Sequence, residues 1–173
     1  CRPCDIYYMW FVKNMAVRLS RTVLRCFPIL IVAALLPSPF NITLPLNPAA
    51  AFLFLISVIL GFLVLISFSM LIYISAFYTL SPNGVRIIAV SVTEFFSGSI
   101  IPIPFFPESL QTIIYALPFS SMQNTPFLIY TGHMNGADTL RSITVQIFWF
   151  AAMTLVGRIL FKKALKKVVV QGG

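Results

Sequence analysis

From Cys26 to Val85 the chain runs for sixty residues without one Asp, Glu, Lys or Arg, and most of those residues are Leu, Ile, Val, Phe and Ala. A helix crossing a hydrocarbon core about 30 Å thick takes roughly 20 residues, so this stretch is too long for one crossing. It is divided by LPSPFNITLPLNP (Leu36 to Pro48). Pro37, Pro39, Pro45 and Pro48 lack backbone donors and crowd the preceding turn, which predicts a loop. The pattern places one span at 22–36, kinked or tilted by Pro28, and a second at 49–78, long enough to cross at a tilt. Two more apolar stretches follow, at 86–101 and 143–161. Four transmembrane helices are expected.

Composition agrees with lipid as the main solvent. Charged residues make up 9% of the chain and hydrophobic ones 59%, where a soluble domain is about a quarter charged. The mean hydropathy is +0.95. The fold class expected is therefore an all-α membrane protein forming a single transmembrane domain over 1–173. The opening residues lack the short apolar core and cleavage site of a signal peptide. The chain begins at Cys1, which reads as an N-terminally truncated fragment.

Charge sets the orientation. Of the 12 Lys and Arg, Arg2, Lys13, Arg18, Arg21 and Arg25 precede or open the first span, and Arg86 lies between the second and third. Arg158, Lys162, Lys163, Lys166 and Lys167 close the chain. If four spans alternate, these eleven share one side and only Arg141 falls on the other. Basic residues in short loops mark the cytoplasmic face, so both ends of this fragment are expected there, in a multi-pass cytoplasmic (inner) membrane protein. The segment at 1–21 is then cytoplasmic, the region at 102–138 faces outward, and 162–173 is a basic cytoplasmic tail. Topology and anionic-lipid contacts account for the net charge of +8, and no nucleic-acid partner is expected.

Little else carries chemistry. Cys1 and Cys4 form a lone CxxC on the expected cytoplasmic side, and the single His133 lies on the other, so no metal site is expected. No GxxxxGK[ST] loop or GxGxxG turn is present to hold a phosphate. The four acids and one His do not assemble a hydrolytic set, so no catalytic residue is assigned. Asn41-Ile42-Thr43 matches a glycosylation acceptor on the expected outer side. Ser57 and Gly61 form a small-xxx-small pair suited to close helix packing.

The most informative stretch is EFFSGSIIPIPFFPESLQTIIYALPFSSMQNTPFLIYTG, Glu94 to Gly132. The third span reaches Gly98, after which Pro102, Pro104 and Pro107 forbid a continuous helix. Two apolar pieces follow, Ser109 to Leu117 and Met122 to Tyr130, each too short to cross. They fit a re-entrant pair of outer-leaflet helices whose backbone ends are shielded by protein, or a pair of interfacial helices capping the fold. Glu94 lies about 12 Å along the helix from Arg86, near the bilayer middle. An acid there is expected to cost about 2.5–3.5 kcal/mol unless paired, protonated or hydrated. It fits either a transport pathway, on one face with Ser91 and Gly98, or a protonated side chain bonded to a neighbouring Ser or Thr.

SGSIIPIPFFPESLQ (Ser97 to Gln111), ALPFSSMQNTPFLIYTG (Ala116 to Gly132) and the closing KKALKKVVVQGG together resemble the permease subunit of a type-2 ATP-binding-cassette (ABC) exporter, in a subfamily of small permeases. The resemblance covers essentially the whole chain. It implies six spans, of which the last four are present here. It also implies an ABC ATPase subunit carrying the ATP and Mg, with no cofactor on this chain, and a second permease copy or homologue as partner. Candidate pathway or gate residues are Glu94, Gly98, Pro102, Pro104 and Pro107. The family's ATPase-docking helix matches Asp5 to Met15, making Tyr7, Tyr8 and Trp10 candidate coupling contacts. The same aromatics suit interfacial anchoring in membrane lipid.

The function expected is ATP-driven export, with hydrolysis on a separate chain and no enzymatic activity in this one. Two alternatives stand beside it. One is an ion-coupled secondary transporter with Glu94 as its proton site and the proline break as a discontinuous binding helix. The other is a structural membrane subunit.

Overall fold

The computed structural model describes residues 5–37, 47–79, 81–134 and 136–166. The Cys1–Cys4 pair, the Asn41–Thr43 triplet, most of the first proline loop and the tail beyond Lys166 lie outside them. Every regular element among the described residues is helical: α1 (Ile6–Leu35), α2 (Pro48–Ser75), α3 (Pro82–Phe96), the short 3-10 turn Ile103–Phe105, α4 (Glu108–Ala116), α5 (Pro118–Tyr130) and α6 (Gly136–Leu165). Two of them, α2 and α6, are long and apolar enough to cross a membrane.

Proline sets where most of these helices begin. Pro48, Pro82 and Pro118 each open a helix, and Pro107 stands just before α4. At the first helical position the missing N–H is one that would have had no partner, and the fixed φ suits the helix. The residues that break the apolar runs are therefore the ones that start the next helix.

The chain divides into two units, Cys1–Leu46 and Asn47–Gly173. In the first, α1 is one continuous helix of 30 residues. It joins the expected cytoplasmic segment to the expected first span without a break, and Pro28 lies inside it. Asp5 caps its start, accepting from the Tyr7 N–H at 3.1 Å. Arg18, Arg21 and Arg25 recur at helical spacing, and Arg18 Nε donates to Asn14 Oδ1 at 3.1 Å. These three arginines all fall in the last 18 residues of α1, which is why it is less apolar than α2.

In the second unit α2 and α6 run parallel. Ser57 bonds Gln146, Ser67 Oγ lies 3.0 Å from Thr154 Oγ1, and Tyr78 Oη donates to the Leu160 carbonyl at 3.1 Å, so both numbers rise together. Parallel neighbours require the chain to return between them. Two short helices in series make that return. α3, 15 residues and about 22 Å long, starts beside the C-terminal end of α2. α5, 13 residues and about 20 Å long, completes the return. Phe119 packs on Phe68, Ser121 and Met122 face Gly61, and Tyr130 meets Phe54, so α5 runs antiparallel to α2 over its N-terminal half.

The close approach of α5 to α2 depends on two residues without a standard backbone surface. Pro126, buried inside α5, has no N–H for the carbonyl of Met122 one turn earlier. Gly61 of α2 faces that carbonyl, and a Cβ there would stand 2.8 Å from the Met122 oxygen and 3.0 Å from that of Ser121. The small-xxx-small pair thus serves a contact within the chain. Gly61→Ala is expected to lower the thermal unfolding midpoint in detergent, through about 1–3 kcal/mol of overpacking. Gly136→Ala, where a Cβ would meet nothing within 4 Å, is the control. Equal midpoints for the two variants would contradict this packing.

Candidate functional site

α3 ends at Phe96, short of the residue 101 expected from hydropathy, because the backbone turns left-handed at Gly98 with φ +83°. Glycine adopts that conformation without the steric cost a Cβ carries. The chain then folds back over itself. Ile103, in the 3-10 turn, is buried beneath Gly98, and a Cβ on Gly98 would stand 3.2 Å from Ile103 Cγ1 and 3.7 Å from Asn124 Oδ1.

Side chains hold the break in place. Ser97 Oγ lies 2.8 Å from Ser99 Oγ, and Ser99 Oγ donates to Gln123 Oε1 of α5 at 2.8 Å. Gln111 of α4 reaches back with Nε2 to donate to the carbonyls of Phe106 at 2.7 Å and Pro104 at 3.2 Å. Those carbonyls sit among prolines that cannot offer them a backbone donor, so the amide satisfies what the local sequence leaves open. An aromatic cluster fills the space behind. Phe95 meets Phe106 edge-on at 5.5 Å, Phe96 lies 6.1 Å from Phe119, and Phe119 packs on Phe68. One cluster therefore links α3, the break, α5 and α2.

Deeper, a polar centre joins three helices. Gln146 of α6 is fully buried; its Oε1 accepts from Ser57 Oγ at 3.1 Å. Its Nε2 donates to the Ser57 carbonyl at 3.1 Å and the Ser121 carbonyl at 2.8 Å. Nearby, Trp149 Nε1 donates to the carbonyl of Ala116, the last residue of α4, at 2.8 Å. α4 therefore descends to the level of Trp149, and α5 climbs from there to Tyr130. A glycine turn ends α5: Gly132 has φ +72°, and the Gly132 and His133 amides donate to the carbonyls of Ile129 and Leu128.

Between α4, α5 and α6 lies a cavity of about 460 Å³. The buried Ser121 and Thr125 and the half-buried Leu128 and Val145 line it, together with the exposed Ala116, His133, Asp138 and Arg141. Neither charge pattern nor hydropathy revealed it, because its walls come from three helices whose partnership depends on Gln146 and Trp149. The signal available in the sequence was a lone Gln inside an apolar run.

The residues singled out from sequence fall into separate groups. Gly98 sits at the break with Pro102, Pro104 and Pro107, and all three prolines are exposed. Ser91 and Glu94 are exposed on α3, and no described residue holds the Glu94 carboxylate by a hydrogen bond or ion pair. Tyr7, Tyr8 and Trp10 lie on the first turns of α1, in the other unit. The ring of Tyr7 is 6.3 Å from Phe11, while Tyr8 and Trp10 are exposed. Among the described residues no group of three or more His, Cys, Asp or Glu side chains is placed to hold a metal.

The break gives a test that separates backbone strain from packing. Gly98→Ala and Gly132→Ala both force a Cβ into a left-handed conformation, at roughly 1–2 kcal/mol each. Only the first also presses on Ile103; the second opens into free space. Gly98→Ala should therefore unfold at a lower temperature than Gly132→Ala. The reverse order would remove the Gly98–Ile103 contact from the account.

The sequence model of the ABC-2 family transporter proteins matches residues 1–172. No curated protein and no solved structure matches the chain. With the match covering all but one residue of an all-helical, strongly apolar chain, the protein belongs to the ABC-2 transporter family, as a membrane-spanning permease.

Proposed function

We propose that this chain is the permease subunit of an ABC exporter, working with a separate ATPase subunit that carries ATP and Mg and with a second permease copy or homologue. The observation that carries the reading is the family match over residues 1–172, and the parallel pairing of α2 and α6 supports it. If α2 and α6 cross the membrane in the same direction, the chain between them must cross in the other. α3 enters from Arg86 and ends near the middle, which supports counting it as an incomplete crossing that α5 finishes. α1 then supplies the fourth crossing, from about Thr22 onward. α4 and α5 form a re-entrant hairpin in the outer leaflet, its backbone ends satisfied by Trp149 and by the glycine turn.

The distribution of Lys and Arg supports both termini of this chain on the cytoplasmic side of an inner membrane. Mechanistically, nucleotide-driven closure of the ATPases would pull on the cytoplasmic start of α1. The two permeases would then alternate which end of the pathway between them is open. Gly98 and the prolines after it form a gate element, since the chain reverses there on a backbone conformation that leaves it hinged between α3 and α4. Tyr8 and Trp10, exposed on α1, are the residues that meet the ATPase.

Two measurements test this. In oriented vesicles a membrane-impermeant thiol reagent applied from outside should label His133→Cys and spare Lys166→Cys; the inverse pattern would overturn the orientation. Co-purification of the permease with an ABC ATPase subunit should fall several-fold on replacing Tyr8 and Trp10 with Ala, while the unfolding midpoint holds. Undiminished association would move the coupling surface elsewhere.

A further inference from the structure

We infer that the cavity between α4, α5 and α6 is a water-filled inlet that carries solvent into the fold to two buried hydroxyls, those of Ser121 and Thr125. Both side chains are almost fully buried, at 1% and 5% exposure, and both line the cavity, one turn apart on α5. Neither hydroxyl makes a hydrogen bond with a described residue. Other buried serines of this unit are bonded to protein. Ser67 and Ser69 donate to carbonyls one turn earlier on α2 at 2.9 and 2.8 Å. Ser57 donates to Gln146 at 3.1 Å, and Ser120 to the Leu117 carbonyl at 3.3 Å. Ser121 and Thr125, the pair without such a bond, are the pair that line an open space.

Competition for local acceptors explains why these two turn away from the backbone. A Ser or Thr inside a helix commonly donates to the carbonyl one turn earlier. For Ser121 that is the Leu117 carbonyl, which already accepts from Ser120 Oγ. For Thr125 it is the Ser121 carbonyl, which already accepts from Gln146 Nε2 at 2.8 Å. A hydroxyl buried dry and without a partner gives up its hydration for nothing in return. Water removes that cost where there is room and where further polar groups can hold it. One water needs roughly 10–15 Å³ of such space, and about 460 Å³ is present. Thr112 and Ser142 add hydroxyl groups to the wall, and the exposed His133 and Arg141 open it to the surface. Ser121 therefore has a dry side and a wet one: its carbonyl holds Gln146, and its hydroxyl meets solvent.

The inlet rests on the permease reading only in the side of the membrane on which it opens, which the proposed topology makes the outer one. The test is thiol labelling in oriented vesicles, with Cys1, Cys4 and Cys26 of the permease replaced by Ser. A thiol reacts as its thiolate, which apolar surroundings suppress, so a small membrane-impermeant methanethiosulfonate reports hydration. Applied from outside, it should modify Ser121→Cys and Thr125→Cys at least about tenfold faster than Ile147→Cys. Ile147 adjoins Gln146 on α6 and is exposed on the apolar surface of that helix. Both inlet substitutions leave the Gln146 bonds in place, since those run to the Ser121 carbonyl and to Ser57. Two separate positions keep the result readable if one variant folds poorly, and the unfolding midpoint identifies that variant. Cysteines at 121 and 125 that stay unreactive from both sides of the membrane, as they would with a lipid chain in the cavity, would overturn the proposal. Ile147→Cys reacting as fast as they do would overturn it too. Rapid reaction from the cytoplasmic side alone would leave the inlet standing and overturn only the orientation.

Discussion

One buried amide holds the register of the Asn47–Gly173 unit. In an apolar bundle, Leu against Ile or Phe tolerates sliding by a turn, because dispersion contacts are nearly interchangeable. Gln146 removes that freedom. Its carboxamide must be satisfied where water is absent, and it meets the Ser57 hydroxyl, the Ser57 carbonyl and the Ser121 carbonyl at once. Two of these partners belong to Ser57 of α2 and the third to Ser121 of α5, so one axial alignment of the three helices satisfies it. Net contributions of about 0.5–1.5 kcal/mol per hydrogen bond are modest, but leaving the group unpaired costs more. The amide therefore acts chiefly against wrong alignments.

The rest of the outer region stands on that alignment. With α5 fixed against α2, Gly61 faces Met122, and the backbone of α2 can approach the carbonyl to which Pro126 offers no N–H. With α6 fixed, Trp149 reaches the end of α4, and the descending and ascending helices of the hairpin share a floor. The cavity is what remains between them. α6 contributes Asp138, Arg141 and, one to two turns on, Val145 to its wall, and α5 contributes the buried Ser121 and Thr125.

Much of this was legible in the residues. The uncharged stretch from Cys26 to Val85 announced lipid, and the prolines at 48 and 107 marked breaks that proved to be helix starts. The two short helices after Pro107 were also visible, since each is too short to cross, whereas the left-handed turn at Gly98 that ends α3 before residue 101 was not. Helix lengths were less legible. Hydropathy located a span at 143–161, but α6 begins at Gly136, because polar residues such as Thr139 pack inside the fold rather than ending the helix. In the same way α1 runs through the border between its charged and apolar halves, since helix formation needs no change in hydropathy. The partnership of Gln146 with Ser57 joins residues 89 apart, and no local pattern encodes such a pair.

The most direct measurement of this central constraint is amide hydrogen exchange on the detergent-solubilised protein, comparing the natural chain with Gln146→Leu. Leucine keeps the volume and removes every hydrogen bond to Ser57 and Ser121. The account predicts faster exchange across α5 and α4, from Glu108 to Tyr130, with α2 and α6 retaining their own protection. Unchanged exchange in α4 and α5 would contradict the claim that this amide holds the outer hairpin in place.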